Sequence, residues 1–189
     1  ATSSQDKTIK LWNSTGGPPI LTLLGHRGQV SFVSWSPDGG KLASCGDDKN
    51  LIVWDAKTGE VIFTLPKKRS RHWAQPVEWS PDGLYLAFAG EDGQVMVLDA
   101  SSGKALHVLR SEAYDVLSVA WSPDGNQLAA GCVKGTIQLW EVRDKRLVFS
   151  LQGHAGRVYS IAWSPNGQRL ASASKDGTVK IREAATGVE

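Results

Sequence analysis

The stretch Trp35-Ser36-Pro37-Asp38-Gly39 returns at Trp79 and Trp121, and once more as Trp-Ser-Pro-Asn-Gly at Trp163. The first spacing is 44 residues and the next two are 42 residues each. A nearly constant period of this length indicates that one unit of secondary structure has been copied and stacked side by side. The fold and the function therefore have to be interpreted repeat by repeat.

Each copy of the motif ends a segment in which small and large residues alternate, as in Val116–Trp121 and Val158–Trp163. This period of two predicts a β-strand with both faces buried. Ser-Pro-Asp-Gly predicts a turn, because proline fixes φ at the first central position and glycine accepts a positive φ at the end. Further strands are predicted at Arg169–Ser174, Thr178–Glu183 and, in an earlier copy, Val61–Leu65. Four short strands per repeat without helical periodicity predict an all-β fold.

Composition restricts the class of protein. The chain has 189 residues, 41% hydrophobic content and a net charge of +2, so no general field attracts nucleic acid or a membrane surface. No apolar run reaches the roughly 18 residues of a membrane span, and no signal peptide opens the chain. Cys45 and Cys132 lie in different repeats, one position apart in the repeat frame, so they should face opposite sides of their strands. We expect no disulfide, a reducing compartment and a cytoplasmic protein.

The residues around the motif resemble the WD40 repeat family. Within one repeat they follow the order of that family: Gly25-His26, Trp35-Ser-Pro-Asp-Gly, Leu42-Ala43-Ser44, Asp48 and Val53-Trp54-Asp55. The other copies keep the same register, so the resemblance covers the whole chain. It implies a β-propeller of four-stranded antiparallel blades around a central channel. We expect a single array over residues 1–189, with a partial blade at 1–24, blades at 25–65, 66–109 and 110–151, and a partial blade at 152–189.

The number of repeats leaves the closure of this propeller open. The chain holds about four and a half repeats, whereas the family commonly closes with seven blades. The chain, which begins with Ala1 inside a repeat, could be part of a longer propeller, the arrangement that we favour. It could also close with a second copy as a homo-oligomer. In the third arrangement it closes alone, with the strand at 19–24 completing the last blade.

The resemblance also implies a buried hydrogen-bond network, called the lock below, in which a histidine bridges an aspartate and a serine while a tryptophan N–H reaches the serine. Only the second repeat has all four residues, His26, Ser44, Asp48 and Trp54, whereas the last repeat has Arg182 in place of the tryptophan. Hydrolase triads use similar residues, but apolar residues replace whole sets in neighbouring copies, as expected of structural networks. No metal, phosphate-loop or nucleophile motif is present. We expect no catalytic residue, no metal site and no cofactor.

In the WD40 family, the links between blades and the turns between the second and third strands gather on one rim of the channel, which is the usual binding face. These two sets of loops are called the rim below. Carried over position by position, the resemblance implies partner-binding residues at the rim: Gln29, Asp47, Trp73, Glu91, Asp115, Arg157 and Lys175. Gln5 and Val133 occupy the same positions in their copies.

Trp73 follows a basic stretch that makes its loop two residues longer than the counterparts. The cations of this basic loop are Lys67, Lys68, Arg69 and Arg71. One interpretation is an aromatic anchor with a cationic flank that binds an acidic peptide or phosphate. The other interpretation is a solvated loop whose tryptophan packs on its own blade.

Glu78 interrupts the pattern of the first strand. The other copies have Ser34, Ala120 and Ala162 at this position, which belongs to the small face. An unpaired carboxylate is costly there, so we expect Glu78 to face water in the channel or to pair with a lysine or arginine.

The main functional hypothesis is a non-catalytic scaffold or sensor platform, of the kind used in signalling, that binds partner proteins or peptides on the rim. The alternative is a nucleic-acid- or phosphate-binding propeller that uses the basic loop at 67–73, and the net charge of +2 argues against it. An enzyme would need titratable groups that converge at the rim. The mixed charges of Asp47, Asp115 and Lys175 are more typical of a binding face. We expect neither a small-molecule substrate nor a membrane partner.

Overall fold

The structure, a computed structural model, describes residues 1–66, 76–89, 93–110 and 115–189. These residues form eighteen strands, β1 to β18, arranged in five antiparallel sheets, and no helix is found among them. The predicted all-β class is therefore confirmed. The described part of the chain accordingly has no helix of the length and apolarity that crossing a bilayer requires.

Each sheet is one blade, and its strands lie in sequence order. Blade 1 contains β1 (Thr2–Ser3), β2 (Thr8–Leu11) and β3 (Leu21–Leu24). Blade 2 contains β4 (Val30–Trp35), β5 (Lys41–Gly46), β6 (Asn50–Asp55) and β7 (Val61–Pro66). Blade 3 contains β8 (Val77–Trp79), β9 (Tyr85–Ala89), β10 (Gln94–Asp99) and β11 (Ala105–Arg110). Blade 4 contains β12 (Val116–Trp121), β13 (Gln127–Cys132), β14 (Thr136–Glu141) and β15 (Arg146–Gln152), and blade 5 contains β16 (Val158–Trp163), β17 (Arg169–Ser174) and β18 (Val179–Glu183).

The hydrophobic core lies between neighbouring blades. One cluster of buried residues occupies each of the four junctions. At the junction of blades 4 and 5, Ile137 and Leu139 of β14 pack with Val158, Ile161 and Leu170 of blade 5. A single blade would leave this apolar face exposed. Burial of the face therefore depends on the neighbouring blade.

The last blade shows what the covering blade contributes. Val179 and Ile181 of β18 occupy the repeat positions of Ile137 and Leu139, which are fully buried, yet they are 69% and 56% exposed. No described blade packs on this side of blade 5. The prediction that both faces of the first strand are buried is correct for β12, where all six residues are buried. It is wrong for β16, where Tyr159 is exposed on the uncovered blade.

The tryptophan of the repeated motif joins each blade to the blade before it. Its indole N–H donates a hydrogen bond to the backbone carbonyl of the residue that precedes the motif in the previous copy. The bonds run from Trp79 to Ser34 (3.2 Å), from Trp121 to Glu78 (3.4 Å) and from Trp163 to Ala120 (3.0 Å). Trp35 has no such bond to the described residues and is 42% exposed, because blade 1 has no first strand among them. The motif therefore supplies a turn and also an inter-blade contact.

The turns between the second and third strands require a left-handed backbone at one position. Blades 3 to 5 place Gly93, Gly135 and Gly177 there, all with positive φ. Lys7 and Lys49 occupy the same position in blades 1 and 2, with φ of 72° and 62°. Since a Cβ atom disfavours this region, the two lysines are strained where the other copies are relaxed.

The two cysteines pack in different junctions. Cys45 belongs to the cluster between blades 2 and 3, and Cys132 to the cluster between blades 3 and 4. They face opposite sides of their blades, and neither forms a disulfide.

Candidate functional site

The antiparallel order of the strands brings the two sets of rim loops to one end of the blades, with the Ser-Pro-Asp-Gly turns at the opposite end. At the rim, the residue before the lock aspartate position donates its backbone N–H to a backbone carbonyl. This carbonyl belongs to the residue just before the first strand of the same blade. These bonds join Asp47 to Gln29 (2.8 Å), Val133 to Asp115 (3.0 Å) and Lys175 to Arg157 (2.8 Å). Each of these blades thus places its two rim residues side by side.

These rim pairs share a backbone hydrogen bond but differ in chemistry. The pair in blade 2, Gln29 with Asp47, carries one negative charge, and so does the pair of Asp115 in blade 4. The pair in blade 5, Arg157 with Lys175, carries two positive charges. Charge therefore varies along the rim while the backbone hydrogen bond within each pair recurs.

A cleft of about 420 Å³ opens at the rim between blades 1 and 2. Its lining residues are Ser3, Ser4, Gln5, Gln29, Val30, Ser31, Phe32 and Asp47. Rim positions of two neighbouring blades, Gln5 on one side and Gln29 with Asp47 on the other, thus converge on one space. The backbone N–H of Val30 donates to the carbonyl of Ser4 (3.0 Å) and fixes the two walls relative to each other.

Several predicted site residues lie outside the described residues. They are Trp73 and Glu91 of the rim and Lys67, Lys68, Arg69 and Arg71 of the basic loop. Their assignment to partner binding stays a prediction.

The lock of blade 2 ties the rim loops to the blade. The His26 ring approaches Asp48 Oδ2 through Nδ1 (3.0 Å) and Ser44 Oγ through Nε2 (2.8 Å), and Trp54 Nε1 donates to the same hydroxyl (2.8 Å). Asp48 also accepts the backbone N–H of Arg27 (2.7 Å). Burial raises the pKa of the Asp48 carboxyl, but the Arg27 N–H and His26 outweigh it and hold that pKa below its usual range.

Burial separates this network from a catalytic triad. Ser44 is 0% exposed, and its hydroxyl is already bonded to His26 and Trp54, so no substrate can reach it. Within the described ranges, no group of three or more His, Cys, Asp or Glu side chains is placed to hold a metal ion.

Blade 5 keeps part of the lock and replaces the rest. His154 bonds Asp176 (3.0 Å) and Ser172 (2.8 Å), as in blade 2. Arg182, in place of the tryptophan, donates instead to Glu189 Oε2 (2.8 Å) and to the carbonyl of Gly153 (3.2 Å). Glu189 occupies the repeat position at which blades 2 and 4 pair a valine or leucine with the lock tryptophan. An ion pair has therefore replaced an apolar cross-strand pair, a joint change that comparison of the copies could have shown.

Blade 1 contains a further part of the lock that the sequence comparison missed. Trp12 Nε1 donates to Thr2 Oγ1 (2.8 Å), which repeats the bond between Trp54 and Ser44. Thr2 lies 42 residues before Ser44 and also carries a hydroxyl, so the signal was present in the repeat register.

Glu78 finds its partner in the next blade. Its Oε2 accepts the backbone N–H of Trp121 (3.0 Å), and no ion pair joins it to a lysine or arginine of the described residues. Burial raises the pKa of the Glu78 carboxyl from 4.5 to about 7, because the loss of hydration outweighs the bond from Trp121. Pairing with a lysine or arginine, one of the two expected arrangements, is therefore not found in the described part of the chain.

Stacked blades of three or four strands, a buried His-Ser-Asp-Trp lock in blade 2 and inter-blade tryptophan bonds define a repeat β-propeller array. The family model described as the WDR19 first beta-propeller matches residues 30–188. The chain belongs to the WD40-repeat β-propeller family, as its sequence predicted.

Relatives match this chain over one or two repeats. The chain is 44% identical over 66 residues to Nuclear distribution protein PAC1-1 of Uncinocarpus reesii, a match that covers 34% of the chain and 15% of that protein. It is 46% identical over 54 residues to Lissencephaly-1 homolog 1 of Paramecium tetraurelia (29% and 13% covered). It is 40% identical over 65 residues to WD40 repeat-containing protein HOS15 of Arabidopsis thaliana (34% and 11% covered). The chain thus spans 11 to 15% of the length of these relatives.

Proposed function

We propose that the chain is a non-catalytic scaffold that binds partner proteins or peptides through the rim. Family membership supports a general role in protein–protein interaction and a generally non-enzymatic class. The observation that supports the rim as the binding face is the set of rim pairs. The same backbone hydrogen bond joins the pair in blades 2, 4 and 5, while the charge of the pair changes from negative to doubly positive.

The locks support this assignment because they hold the rim loops in place. In blade 2, Asp48 is bound inward by His26 and by the Arg27 N–H, and the adjacent Asp47 is thereby presented outward. Blade 5 repeats this arrangement, with Asp176 held by His154 beside Lys175. A loop fixed before binding loses less conformational freedom when a partner docks, so preorganised rim residues favour recognition.

The test is affinity capture with matched charge deletions. The rim variant Arg157→Ala/Lys175→Ala removes two positive charges from blade 5, and the control Lys57→Ala/Arg143→Ala removes two exposed positive charges from turns at the opposite end of the blades. We expect partners to be captured by the wild type and the control but lost from the rim variant, with all three melting at the same temperature. Partners that stay with the rim variant, or that are lost equally from the control, would contradict the proposal.

A further inference from the structure

The motif tryptophans differ in how well the preceding blade covers them. Trp79 and Trp121 pack in the clusters that they share with the blade before them, and each is 5% exposed. Trp35 is 42% exposed although blade 3 follows it, so the cover over a motif tryptophan comes from the preceding blade. Trp163 is only partly buried, yet blade 4 before it has all four strands. A difference in side chains therefore accounts for its exposure.

The first residue of the second strand is the side chain that differs. In blade 3 this residue is Tyr85, whose ring stacks on Trp121 with ring centroids 6.4 Å apart and planes inclined by 25°. Blade 4 has Gln127 at the same repeat position. The Gln127 side-chain amide donates to Glu141 Oε1 (2.7 Å) on β14, so it provides no ring to cover Trp163.

A cleft of about 350 Å³ lies beside Trp163, at the end of the blades opposite to the rim. It is called the turn cleft below. Blade 4 forms one wall and the turn between β16 and β17 forms the other, so both walls belong to a junction within the array. The lining residues include Pro123, Asp124 and Gln127 of blade 4 and Trp163, Pro165 and Asn166 of blade 5. A space of this size falls within the range of ligand pockets.

The turn cleft combines apolar walls with acceptor oxygens. The indole and the two prolines are apolar, and Asp124 is the one charged side chain among the described lining residues. The Ser122 hydroxyl and the Asn126 N–H hold the pKa of the Asp124 carboxyl below its usual range, against the effect of burial. The cleft is therefore negatively charged, which favours a neutral ring with a hydroxyl donor and disfavours an anion.

We infer that the turn cleft binds a tyrosine side chain of a partner protein, whose ring stacks on Trp163 as Tyr85 stacks on Trp121. Offset stacking of two aromatic rings at this separation is a favoured contact, and the phenol hydroxyl can donate to the acceptor oxygens of the cleft. The site lies opposite to the rim, so this inference goes beyond the proposed function and does not depend on it.

A cationic side chain is the alternative occupant, because a guanidinium also stacks on an indole and could pair with Asp124. Blade 2 has Lys41 at the position of Gln127, next to a buried Trp79. We favour tyrosine because, among the described residues, Tyr85 is the one side chain at this position that stacks on the motif tryptophan.

The test uses the full chain and a short capped peptide, acetyl-Gly-Ala-Tyr-Ala-Gly-amide, titrated by NMR. Control peptides have leucine, arginine or phosphotyrosine in place of tyrosine. We expect a saturable shift of the Trp163 indole N–H signal with the tyrosine peptide. Leucine should bind roughly 2- to 10-fold more weakly, because it cannot stack as a ring. Phosphotyrosine should not bind, because its charge of about −2 meets Asp124.

Variants of the protein close the cleft or create a second one. Gln127→Tyr supplies the ring from the chain itself, as in blade 3, and should abolish binding of the tyrosine peptide. Thr22→Tyr adds the same ring at an exposed position of β3 and should leave the affinity unchanged. Tyr85→Gln should open an equivalent cleft between blades 3 and 4, so that the Trp121 indole signal also responds to the peptide. Unaltered indole signals of the other tryptophans show that each variant is folded.

Several outcomes would overturn the tyrosine site. They are the absence of a saturable shift in the wild type, equal affinities for the tyrosine and leucine peptides, and unchanged binding by Gln127→Tyr. Tighter binding of the arginine peptide would assign the cleft to a cation instead. If Gln127→Tyr does not fold, Tyr85→Gln decides: a response of Trp121 supports the site, and its absence contradicts it. Capture of partners by the rim is measured separately and stands or falls on its own.

Discussion

Glu78 should make the stability of this protein depend on pH in a range where few other groups titrate. Its carboxyl has a pKa of about 7 in the folded chain against an ordinary value of 4.5. Between these values the folded state holds a proton that the unfolded state has lost. The contribution of Glu78 to stability is therefore greatest below pH 4.5 and decreases as the pH rises to 7. At about 1.4 kcal/mol per pKa unit, the full decrease is about 3 kcal/mol.

The variant Glu78→Gln isolates this effect. Glutamine keeps the side-chain shape and an oxygen that can accept the Trp121 N–H, but it cannot ionise. At pH 5 the variant and the wild type should unfold with similar free energies, whereas at pH 8 the variant should be more stable by about 3 kcal/mol. For a chain of this size, that difference corresponds to a rise in melting temperature of about 6 to 12 °C.

The assay is calorimetry or thermal unfolding followed by circular dichroism at pH 5, 6, 7 and 8. The pKa of His107 is lowered by burial and by Lys145, so that group makes stability rise with pH toward 6.5. Both proteins carry His107, and the difference between their melting temperatures cancels its contribution. Glu60→Gln, which neutralises an exposed carboxylate, is the matched control and should show no such trend. Parallel pH profiles for the wild type and Glu78→Gln would refute the reasoning.

Three further predictions concern the lock, the inter-blade bonds and the strained turn. His26→Ala should lower the free energy of unfolding by about 2 to 3 kcal/mol, because two buried lock partners lose their bonds, yet should not abolish partner capture at temperatures below melting. Loss of capture without a lower melting temperature would argue against a structural role. Trp163→Phe removes the bond to the Ala120 carbonyl and should cost about 1 kcal/mol more in urea unfolding than Trp35→Phe, which breaks no such bond; equal costs would count against the inter-blade contact. Lys49→Gly should raise the free energy of unfolding by about 1 kcal/mol, and with it the melting temperature, because glycine adopts the positive φ without the cost of a Cβ atom. A lower melting temperature would show that the lysine is not strained.

The elements that local chemistry determines could be predicted from the sequence. The strands and turns follow from alternation, proline and glycine within a few residues, and the repeat carries them from copy to copy. The lock residues follow from the family register. What could not be predicted depends on how one blade lies against the next. Glu78 was expected to face channel water or to pair with a cation, but it accepts a backbone N–H of the following blade. The prediction that the first strand is buried was wrong at Tyr159 for the same reason. A strand pattern does not tell whether a covering blade is present.

The rim illustrates the same division. The positions of Asp47 and Lys175 could be assigned by register, but their backbone bonds to Gln29 and Arg157 became visible only in the structure. The replacement of the lock tryptophan by Arg182 was visible in the sequence. The register also places Glu189 at the position of Val61, but the ion pair between the Arg182 and Glu189 side chains became visible only in the structure.

The tryptophan hydrogen bonds between successive blades determine how the stability of one blade depends on its neighbours. Every such bond joins a blade only to its immediate neighbour, so the array is coupled as a row of adjacent units and not as one uniform body. Hydrogen exchange should be slowest in blades 2, 3 and 4, which have a neighbour on each side, and faster in blade 5, which is covered on one side. A ligand held at one junction should alter protection mainly in the two blades that form it. Substitutions in distant blades should then have nearly additive effects on the free energy of unfolding.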